Sequence, residues 1–426
     1  MVIYTVRLGD SLYSIAQQYG VPMQMLIDDN RLTNPEQLVV GQTIVIATDS
    51  ITHTIAPGES LFSIARRYGV TVASILEANP DITNPAVIYP GQSIIIHVPD
   101  RKIGNIDVNG YAFPNISTTV LNDTLPHLTY ISPFSYQVRA NGSLVTINDD
   151  AIISAARAQN VAPLMVITNI LEGGSFNSDL ASTILNSEQI QNTVLNNVVQ
   201  TLESKNYFGL DIDFEYIYSS DRQAYNQFVQ RTVDRLHPLG YTVTTALAPK
   251  TRADQPGLLY EAHDYAFHGA TVDHVILMTY EWGYTYSPAQ AVAPLNRVEE
   301  VLRYAVTDIP SEKILMGIPN YGYDWTLPFV QGSAARTISH TAAVNLAARE
   351  GAEIMFDEEA QSPHFNYFDD QGREHEVWFE DARSIEAKLL LVDKYNLGGV
   401  SYWTVNSFFP QNWLVLESIY NVNKVL

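Results

Sequence analysis

Residues 208–215 have the sequence Phe-Gly-Leu-Asp-Ile-Asp-Phe-Glu, which alternates apolar and acidic side chains. The acids are Asp211, Asp213 and Glu215, one at every second position. Because successive side chains of a β-strand point to opposite faces, such a strand would present its three carboxyl groups together and its apolar residues on the other face. An apolar back requires a packed layer behind it, so the pattern predicts a strand of a buried sheet.

The acidic face of this strand has two interpretations. A solvated edge strand with an acidic outer face would need no special chemistry. Alternatively, a row of carboxyl groups held close together would have pKa values pushed apart, as acid catalysis near neutral pH requires. Motifs elsewhere in the chain favour the second interpretation.

The acid row resembles the signature of family 18 glycoside hydrolases, the chitinase-like (β/α)8 barrels. Their pattern is Asp-Gly-x-Asp-x-Asp-x-Glu, with apolar residues at the first two x positions. Residues 209–215 match it throughout, whereas Phe208 replaces the family's first Asp. That position lies outside the acid row, so we do not expect the change to abolish catalysis.

Eight strand-like apolar segments alternate with helical patterns, which predicts an α/β fold of the (β/α)8 TIM-barrel type. These segments are residues 106–113, 128–134, 163–170, 208–215, 242–248, 274–280, 314–319 and 399–403. The interval of about 324–380 contains a pattern typical of a β-hairpin with an Asp-Asp-Gln-Gly turn. It predicts a small inserted β-rich element.

Further motifs lie at the predicted strand ends, where barrels of this kind carry their active sites. The sequence Met-Thr-Tyr-Glu at 278–281 resembles the family's Met-x-Tyr-Asp, with Glu281 in place of Asp. Residues 317–322 resemble its Gly-x-Pro-x-Tyr-Gly, and the glycine-rich run after residue 397 leads to Trp403. The order of these motifs along the chain matches the family.

The resemblance implies a retaining, substrate-assisted mechanism that needs no metal or cofactor. Glu215 would protonate the glycosidic oxygen, and the substrate's own 2-acetamido oxygen would be the nucleophile. Asp213 would hold the acetamido N–H, Asp211 would share a proton with Asp213, and Tyr280 would orient the acetamido oxygen. Substrate-binding residues implied by the resemblance are Tyr111, Glu281, Asn320, Tyr321 and Trp403.

An internal repeat occupies the N-terminal part of the chain. Residues 4–16 reappear as 53–65, and residues 40–46 reappear as 90–96. Each unit has the pattern strand, helix, helix, strand, and resembles a LysM module, a small βααβ domain that binds glycans containing N-acetylglucosamine. We therefore expect two independent modules, followed by a short polar link. The predicted divisions are residues 1–48, 50–98 and a barrel of 103–426.

In each module the resemblance places a sugar groove between the loop after the first strand and the loop before the last. The implied glycan contacts are Gly9, Asp10 and Asn30 in module 1, and Gly58, Glu59 and Asn79 in module 2. The alternative for the two asparagines is that they only shape turns.

Composition limits the partners of this chain. The absence of cysteine among its 426 residues excludes disulfides, thiolate metal sites and a cysteine nucleophile. Its net charge of −22 disfavours nucleic acid and anionic membrane surfaces. No apolar run approaches the roughly 20 residues of a membrane helix, and no signal-peptide pattern is visible. We expect a monomer.

The two modules and the barrel motifs together resemble the cortex-lytic N-acetylglucosaminidases of Bacillus-type spores. This resemblance implies an endo-type peptidoglycan hydrolase that cleaves spore cortex after N-acetylglucosamine during germination. It also implies a location in the coat or cortex region of a Gram-positive spore. The alternatives are a chitinase or chito-oligosaccharide hydrolase, and a non-hydrolytic, lectin-like glycan-binding protein. The intact Glu215 argues against the lectin.

Overall fold

Eight parallel strands close into a barrel in the computed structural model, which describes residues 1–97 and 102–426. In chain order they are Gly104–Ala112, Tyr130–Pro133, Ala162–Thr168, Gly209–Asp213, Thr242–Leu247, His274–Leu277, Ile314–Pro319 and Gly399–Trp403. Each strand pairs with the next, and the eighth pairs with the first. The predicted barrel is confirmed, with strand ends shifted by a few residues.

Helices surround the barrel and connect its strands. They are Thr118–Thr124, Asp150–Ala158, Ser178–Leu185, Glu188–Lys205, Arg222–Leu236, Tyr265–Thr271, Leu295–Asp308, Ala382–Lys394 and Pro410–Ile419, with short 3-10 turns at Leu125–His127, Ser219–Asp221, His237–Leu239 and Ser311–Lys313. Two short strands, Tyr136–Val138 and Leu144–Val145, extend the sheet beside the third barrel strand, and Tyr420–Val422 pairs with the first. Within the described residues, no helix is both long and apolar enough to cross a membrane.

The predicted insertion follows the seventh barrel strand. It contains an antiparallel sheet of Gly322–Thr326, Arg336–Ile338, Met355–Asp357, Ser362–Phe368 and Glu374–Trp378, and a helix, His340–Glu350. The last two of these strands form the hairpin that the Asp-Asp-Gln-Gly turn predicts. Its first strand begins directly after the end of a barrel strand, so the insertion stands at the rim where the active site lies.

Each N-terminal module is a βααβ unit. Module 1 contains Val2–Thr5, Leu12–Tyr19, Met23–Asn30 and Thr43–Ile46, and module 2 contains Ser50–Thr54, Leu61–Tyr68, Val72–Ala78 and Ser93–His97. A serine caps the first helix of each, because Ser11 accepts from the Ser14 N–H and Ser60 accepts from the Ser63 N–H. Most of the predicted link, residues 98–101, lies outside the described residues.

The structure corrects the expectation of two independent modules. Both modules contribute to one hydrophobic cluster, in which Tyr19 and Ile46 of module 1 join Ile51 and Ile96 of module 2. Module 1 also belongs to the barrel, since Val45 is part of the barrel's main cluster. The repeat pattern does not predict these contacts, because they depend on residues far away in the sequence.

The fourth barrel strand carries its apolar residues outward, as predicted. Leu210, Ile212 and Phe214 are fully buried. The ring of Phe214 stacks on Tyr225 and Phe228 of the following helix, at centroid distances of 6.2 and 5.8 Å. The opposite face of the strand points into the barrel, so the helical layer and the acid row lie on opposite sides of one strand.

Tyr216 departs from the alternating pattern. The strand ends at Asp213, and Tyr216 adopts a left-handed backbone conformation with φ of 53°. Its side chain is 40% exposed. Because the chain leaves the sheet after Asp213, the two-residue alternation no longer determines which way Tyr216 points.

Replacing Phe214 by Ala should lower the free energy of unfolding by about 3–5 kcal/mol, because it removes a fully buried ring between the strand and its helix. Tyr216→Ala, two residues away, should cost less than about 1 kcal/mol. Urea denaturation of both variants measures the difference. Equal losses in the two variants would contradict the assignment of the faces.

Candidate active site

The three acids of the row lie at the C-terminal end of the fourth barrel strand, inside the barrel. Asp211 and Asp213 are buried, and Glu215 is partly buried two residues beyond the strand. The hydroxyl of Tyr111 donates a hydrogen bond of 2.6 Å to Oδ2 of Asp211. Among the described residues, Oδ1 of Asp211 and Oδ1 of Asp213 have no hydrogen-bond partner. Such buried acceptors are costly unless a bound molecule supplies a donor.

Burial is the largest cause of the raised pKa values of the three acids in this row. It raises the pKa of Asp211 to about 7, against the opposing effect of the hydrogen bond from Tyr111. Burial, and then the charges of Glu215 and Asp211, raise the pKa of Asp213 well above its usual range. Burial, and then the charge of Glu281, raise the pKa of Glu215 to about 7. The row therefore retains protons near neutral pH, and Glu215 can serve as a proton donor there.

Asn169 fixes the backbone of Glu215. It lies one residue after the third barrel strand and is fully buried. Its Oδ1 accepts a 2.9 Å hydrogen bond from the Glu215 N–H, and its Nδ2 donates to the Glu215 carbonyl at 2.8 Å. The sequence analysis missed this residue. The available signal was a polar side chain directly after an apolar strand, at the rim where the active site was expected.

Tyr280 lines the same cavity as Glu215 and Asp213. Burial, and then the charges of Asp213 and Glu215, raise the pKa of Tyr280 well above its usual range, so its hydroxyl remains a donor. Gly317 makes room for this ring. A Cβ at Gly317 would lie 2.8 Å from Cε1 of Tyr280 and 2.5 Å from the Leu277 carbonyl oxygen.

Trp403 stands at the end of the eighth strand, held edge-on by three aromatic rings. Its centroid distances are 4.7 Å to Phe134, 5.3 Å to Tyr111 and 5.7 Å to Phe113. Asn320 fixes the loop that follows, because its Nδ2 donates to carbonyls of that loop at 2.8 and 2.7 Å. The amide nitrogen of Asn320 is thus engaged in holding the Trp403 loop.

Glu281 faces Glu215 from the sixth strand's end. The hydroxyls of Tyr321 and Tyr323 donate to its carboxylate. Burial raises the pKa of Glu281, and these two hydrogen bonds oppose that effect. Tyr321, a predicted substrate-binding residue, therefore contacts Glu281 in the structure.

Two adjoining cavities form the cleft, and both are lined by Trp403 and Glu281. The first has a volume of about 620 Å³ and contains Asp213, Glu215 and Tyr280. The second, of about 520 Å³, is lined by Asn320, Tyr321 and residues 337–339 of the insertion. Both volumes are in the range of small-molecule sites. The cleft therefore has room for a polymer that extends through both cavities.

The asparagines predicted to bind glycan in the modules point inward instead. Asn30 donates to the Leu26 and Val45 carbonyls and accepts from the Val45 N–H. Asn79 makes the same set of bonds with Ile75 and Ile95. Both side chains tie the second helix of their module to its last strand, which favours a structural role.

The other four predicted contacts lie in the loop after each module's first strand. Gly9 and Gly58 are exposed turn residues with φ of 88° and 86°. Asp10 accepts from the Tyr4 hydroxyl at 2.7 Å, and Glu59 accepts from the His53 ring at 2.7 Å.

Comparison with known proteins agrees with this geometry. The family described as "Glycosyl hydrolases family 18" matches residues 111–407, and "LysM domain" matches residues 4–47 and 53–97. The chain therefore belongs to glycosyl hydrolases family 18, and it is a glycoside hydrolase that carries two LysM domains.

Three similar proteins show how far the likeness extends. A cortical fragment-lytic enzyme of Bacillus subtilis is 43% identical over 100% of this chain and 99% of its own length. The crystal structure of the Bacillus megaterium spore cortex-lytic enzyme SleL matches with a TM-score of 0.90 and 40% identity, covering 100% of this chain and 99% of that one. A chitinase from Chromobacterium violaceum has a TM-score of 0.68 at 25% identity, covering 74% of this chain and 98% of that one.

Glu281→Gln should move the alkaline limb of the pH–activity profile to lower pH. The negative charge of Glu281 raises the pKa of Glu215, so its removal lets Glu215 lose its proton earlier as the pH rises. The profile of kcat/KM on a soluble chito-oligosaccharide measures this shift. Asp370→Asn, at the tip of the exposed hairpin, removes one charge far from the cleft and should leave the limb in place. An unshifted limb in Glu281→Gln would contradict the electrostatic coupling.

Asn169→Ala should lower kcat by roughly 10-fold to 10²-fold while changing KM little, because small displacements of a catalytic group are costly. Asn169→Asp keeps the size and one acceptor but sets an acidic oxygen against the Glu215 carbonyl oxygen, so it should not restore the wild-type kcat. Steady-state kinetics with circular dichroism as a folding control provide the measurement. Wild-type kcat in Asn169→Ala would show that these two bonds do not position Glu215.

Proposed function

We propose that this enzyme is an endo-acting N-acetylglucosaminidase that hydrolyses spore-cortex peptidoglycan by a substrate-assisted mechanism. One observation carries the proposal: Oδ1 of Asp213 is buried beside Glu215, in the cavity that Tyr280 lines, and has no hydrogen-bond partner among the described residues. A 2-acetamido group placed there supplies an N–H donor for that oxygen. It also offers a carbonyl oxygen that can accept from the Tyr280 hydroxyl.

The reaction then proceeds in two steps. Glu215 gives its proton to the glycosidic oxygen as the bond to the anomeric carbon breaks, and the acetamido oxygen forms a new bond to that carbon. Asp213 accepts a hydrogen bond from the acetamido N–H, which becomes more positively charged as the oxazolinium forms. Glu215, now ionised, takes a proton from water. The water oxygen bonds to the anomeric carbon from the other face, and the bond between that carbon and the acetamido oxygen breaks. Two displacements retain the configuration of the anomeric carbon.

This chemistry restricts the substrate. The sugar on the non-reducing side of the broken bond must carry a free 2-acetamido group, as N-acetylglucosamine does. Muramic-δ-lactam of spore cortex does not qualify, because its nitrogen is locked in a ring. This requirement excludes cleavage after muramic-δ-lactam and permits cleavage after N-acetylglucosamine, which is the position that we propose.

The names of similar proteins support the biological setting. Proteins similar over the whole chain are named for lysis of cortical fragments or of spore cortex. We propose that this enzyme acts likewise, as a monomer, in the coat or cortex region of a Gram-positive spore during germination. A chitinase is the second candidate, since a chitinase shares this barrel at 25% identity, and chitin carries the same acetamido group.

Mass spectrometry of muropeptides released from purified cortex tests the proposal. The wild type should release fragments with N-acetylglucosamine at the reducing end, and should act faster on cortex than on chitin oligomers. Glu215→Gln, which is nearly isosteric, should lose roughly 10²-fold or more in turnover. Fragments ending in reducing muramic acid would contradict the cleavage position. Chitin oligomers as the faster substrate would favour the chitinase.

A further inference from the structure

The two LysM modules repeat each other in sequence but differ in their surroundings. Val39 and Tyr89 occupy equivalent positions, one residue before the matching segments 40–46 and 90–96. The side chain of Val39 is 5% exposed, whereas that of Tyr89 is 66% exposed. Val39 is buried in a hydrophobic cluster with residues of the insertion, among them Leu346 and Ile354. The same loop thus faces protein in module 1 and water in module 2.

The loop of module 1, residues 31–42, contacts the insertion along its length. Gln37 donates to the Ala348 carbonyl at 3.0 Å, and the Val40 carbonyl accepts from the Ile354 N–H at 2.9 Å. Thr33 donates to Oδ1 of Asn345 at 3.0 Å. Of these partners, Asn345 and Ala348 lie in the helix His340–Glu350, and Ile354 follows it.

A buried polar network joins module 1 to the C-terminal helix. Nε2 of Gln411 donates to Oδ1 of Asn30 at 3.0 Å and to the Thr43 carbonyl at 2.7 Å. Oε1 of Gln411 accepts from the Thr43 hydroxyl at 2.8 Å. All three residues are buried. A buried network whose polar groups are hydrogen-bonded to each other favours a single orientation of module 1 relative to the barrel.

Gly41 shows how closely module 1 approaches the insertion. A Cβ at this position would lie 1.8 Å from the Ile354 carbonyl oxygen. At the equivalent Gly91 of module 2, a Cβ would meet nothing within 4 Å. The backbone φ is the same at both, 87° and 86°. The two glycines therefore differ in their neighbours and not in their own conformation.

We propose that module 1 is a fixed part of the catalytic unit, and that module 2 alone presents this loop to the glycan. The helix His340–Glu350, which module 1 holds, begins directly after residues 337–339, which line the cleft. Module 1 therefore braces one wall of the cleft from behind.

The free loop of module 2 suits an uncharged sugar polymer. Residues 80–92 carry one charged side chain, Asp81, and they expose Val87 and Tyr89. Exposed apolar groups of this kind mark binding surfaces, and a tyrosine ring can lie against the apolar face of a sugar while its hydroxyl stays in water. The assignment of glycan binding to module 2 rests on the proposed glycan substrate. The support of the cleft wall by module 1, the brace, does not.

Matched substitutions in the full-length enzyme test the brace. Gly41→Ala should lower the unfolding temperature more than Gly91→Ala, and should raise KM for a soluble chito-oligosaccharide several-fold. Gly91→Ala imposes the same backbone strain without the collision, so it is the control for the unfolding temperature, and KM is compared between Gly41→Ala and the wild type. Gln411→Ala, a milder change, should lower the unfolding temperature and raise KM in the same direction. Identical behaviour of the two glycine variants, together with a wild-type KM in Gln411→Ala, would overturn the brace.

Co-sedimentation with insoluble cortex peptidoglycan tests the division of roles. Tyr89→Ser should reduce the bound fraction several-fold, and Val39→Ser should lower the unfolding temperature while the bound fraction stays close to wild type. Equal loss of retention in both variants would overturn the assignment of glycan binding to module 2. If wild-type enzyme neither sediments with cortex nor hydrolyses it, the proposed function fails, while the unfolding and KM data on Gly41→Ala still decide the brace.

Discussion

A carboxyl group buried away from water is costly in its charged form, and this barrel buries two of them on one strand and places a third beside them. The cost raises the pKa of Asp211 and of Glu215 to about 7. The closed barrel makes this possible, because the strand that carries the acids is anchored on its far face by Leu210, Ile212 and Phe214. Protons retained on the row at neutral pH give a proton donor.

The surrounding residues act mainly by positioning. Asn169 holds both backbone groups of Glu215, and Gly317 leaves space for the Tyr280 ring. Three aromatic rings pack against Trp403, which lines both cavities of the cleft. Groups held in place by such contacts need little rearrangement when charge develops in a reaction, which is the condition under which electrostatic stabilisation is most effective. Among the described residues, Oδ1 of Asp211 and Oδ1 of Asp213 have no hydrogen-bond partner, and the proposed substrate supplies a donor for the second.

Sequence alone predicted the parts of this protein that follow from short-range pattern. The alternation at 208–215 predicted the strand and its two faces, and apolar segments predicted the eight strands. The role of Asn169 was missed, because it lies inside the predicted strand segment 163–170 and its partner Glu215 is 46 residues away in the sequence. The alternation says nothing about Tyr216, because the strand ends at Asp213. The attachment of module 1 was also missed, because Val39 and Tyr89 look interchangeable in the repeat and differ only in partners hundreds of residues away.

Infrared spectroscopy tests most directly whether the acid row holds protons at neutral pH. The carboxylic-acid carbonyl band, recorded as pH is raised, measures those protons. We expect a band that persists above pH 6 and declines through about pH 7, and that is weaker in Glu215→Gln. Loss of the whole band by about pH 5, as expected of solvated carboxyl groups with pKa values near 4, would contradict it.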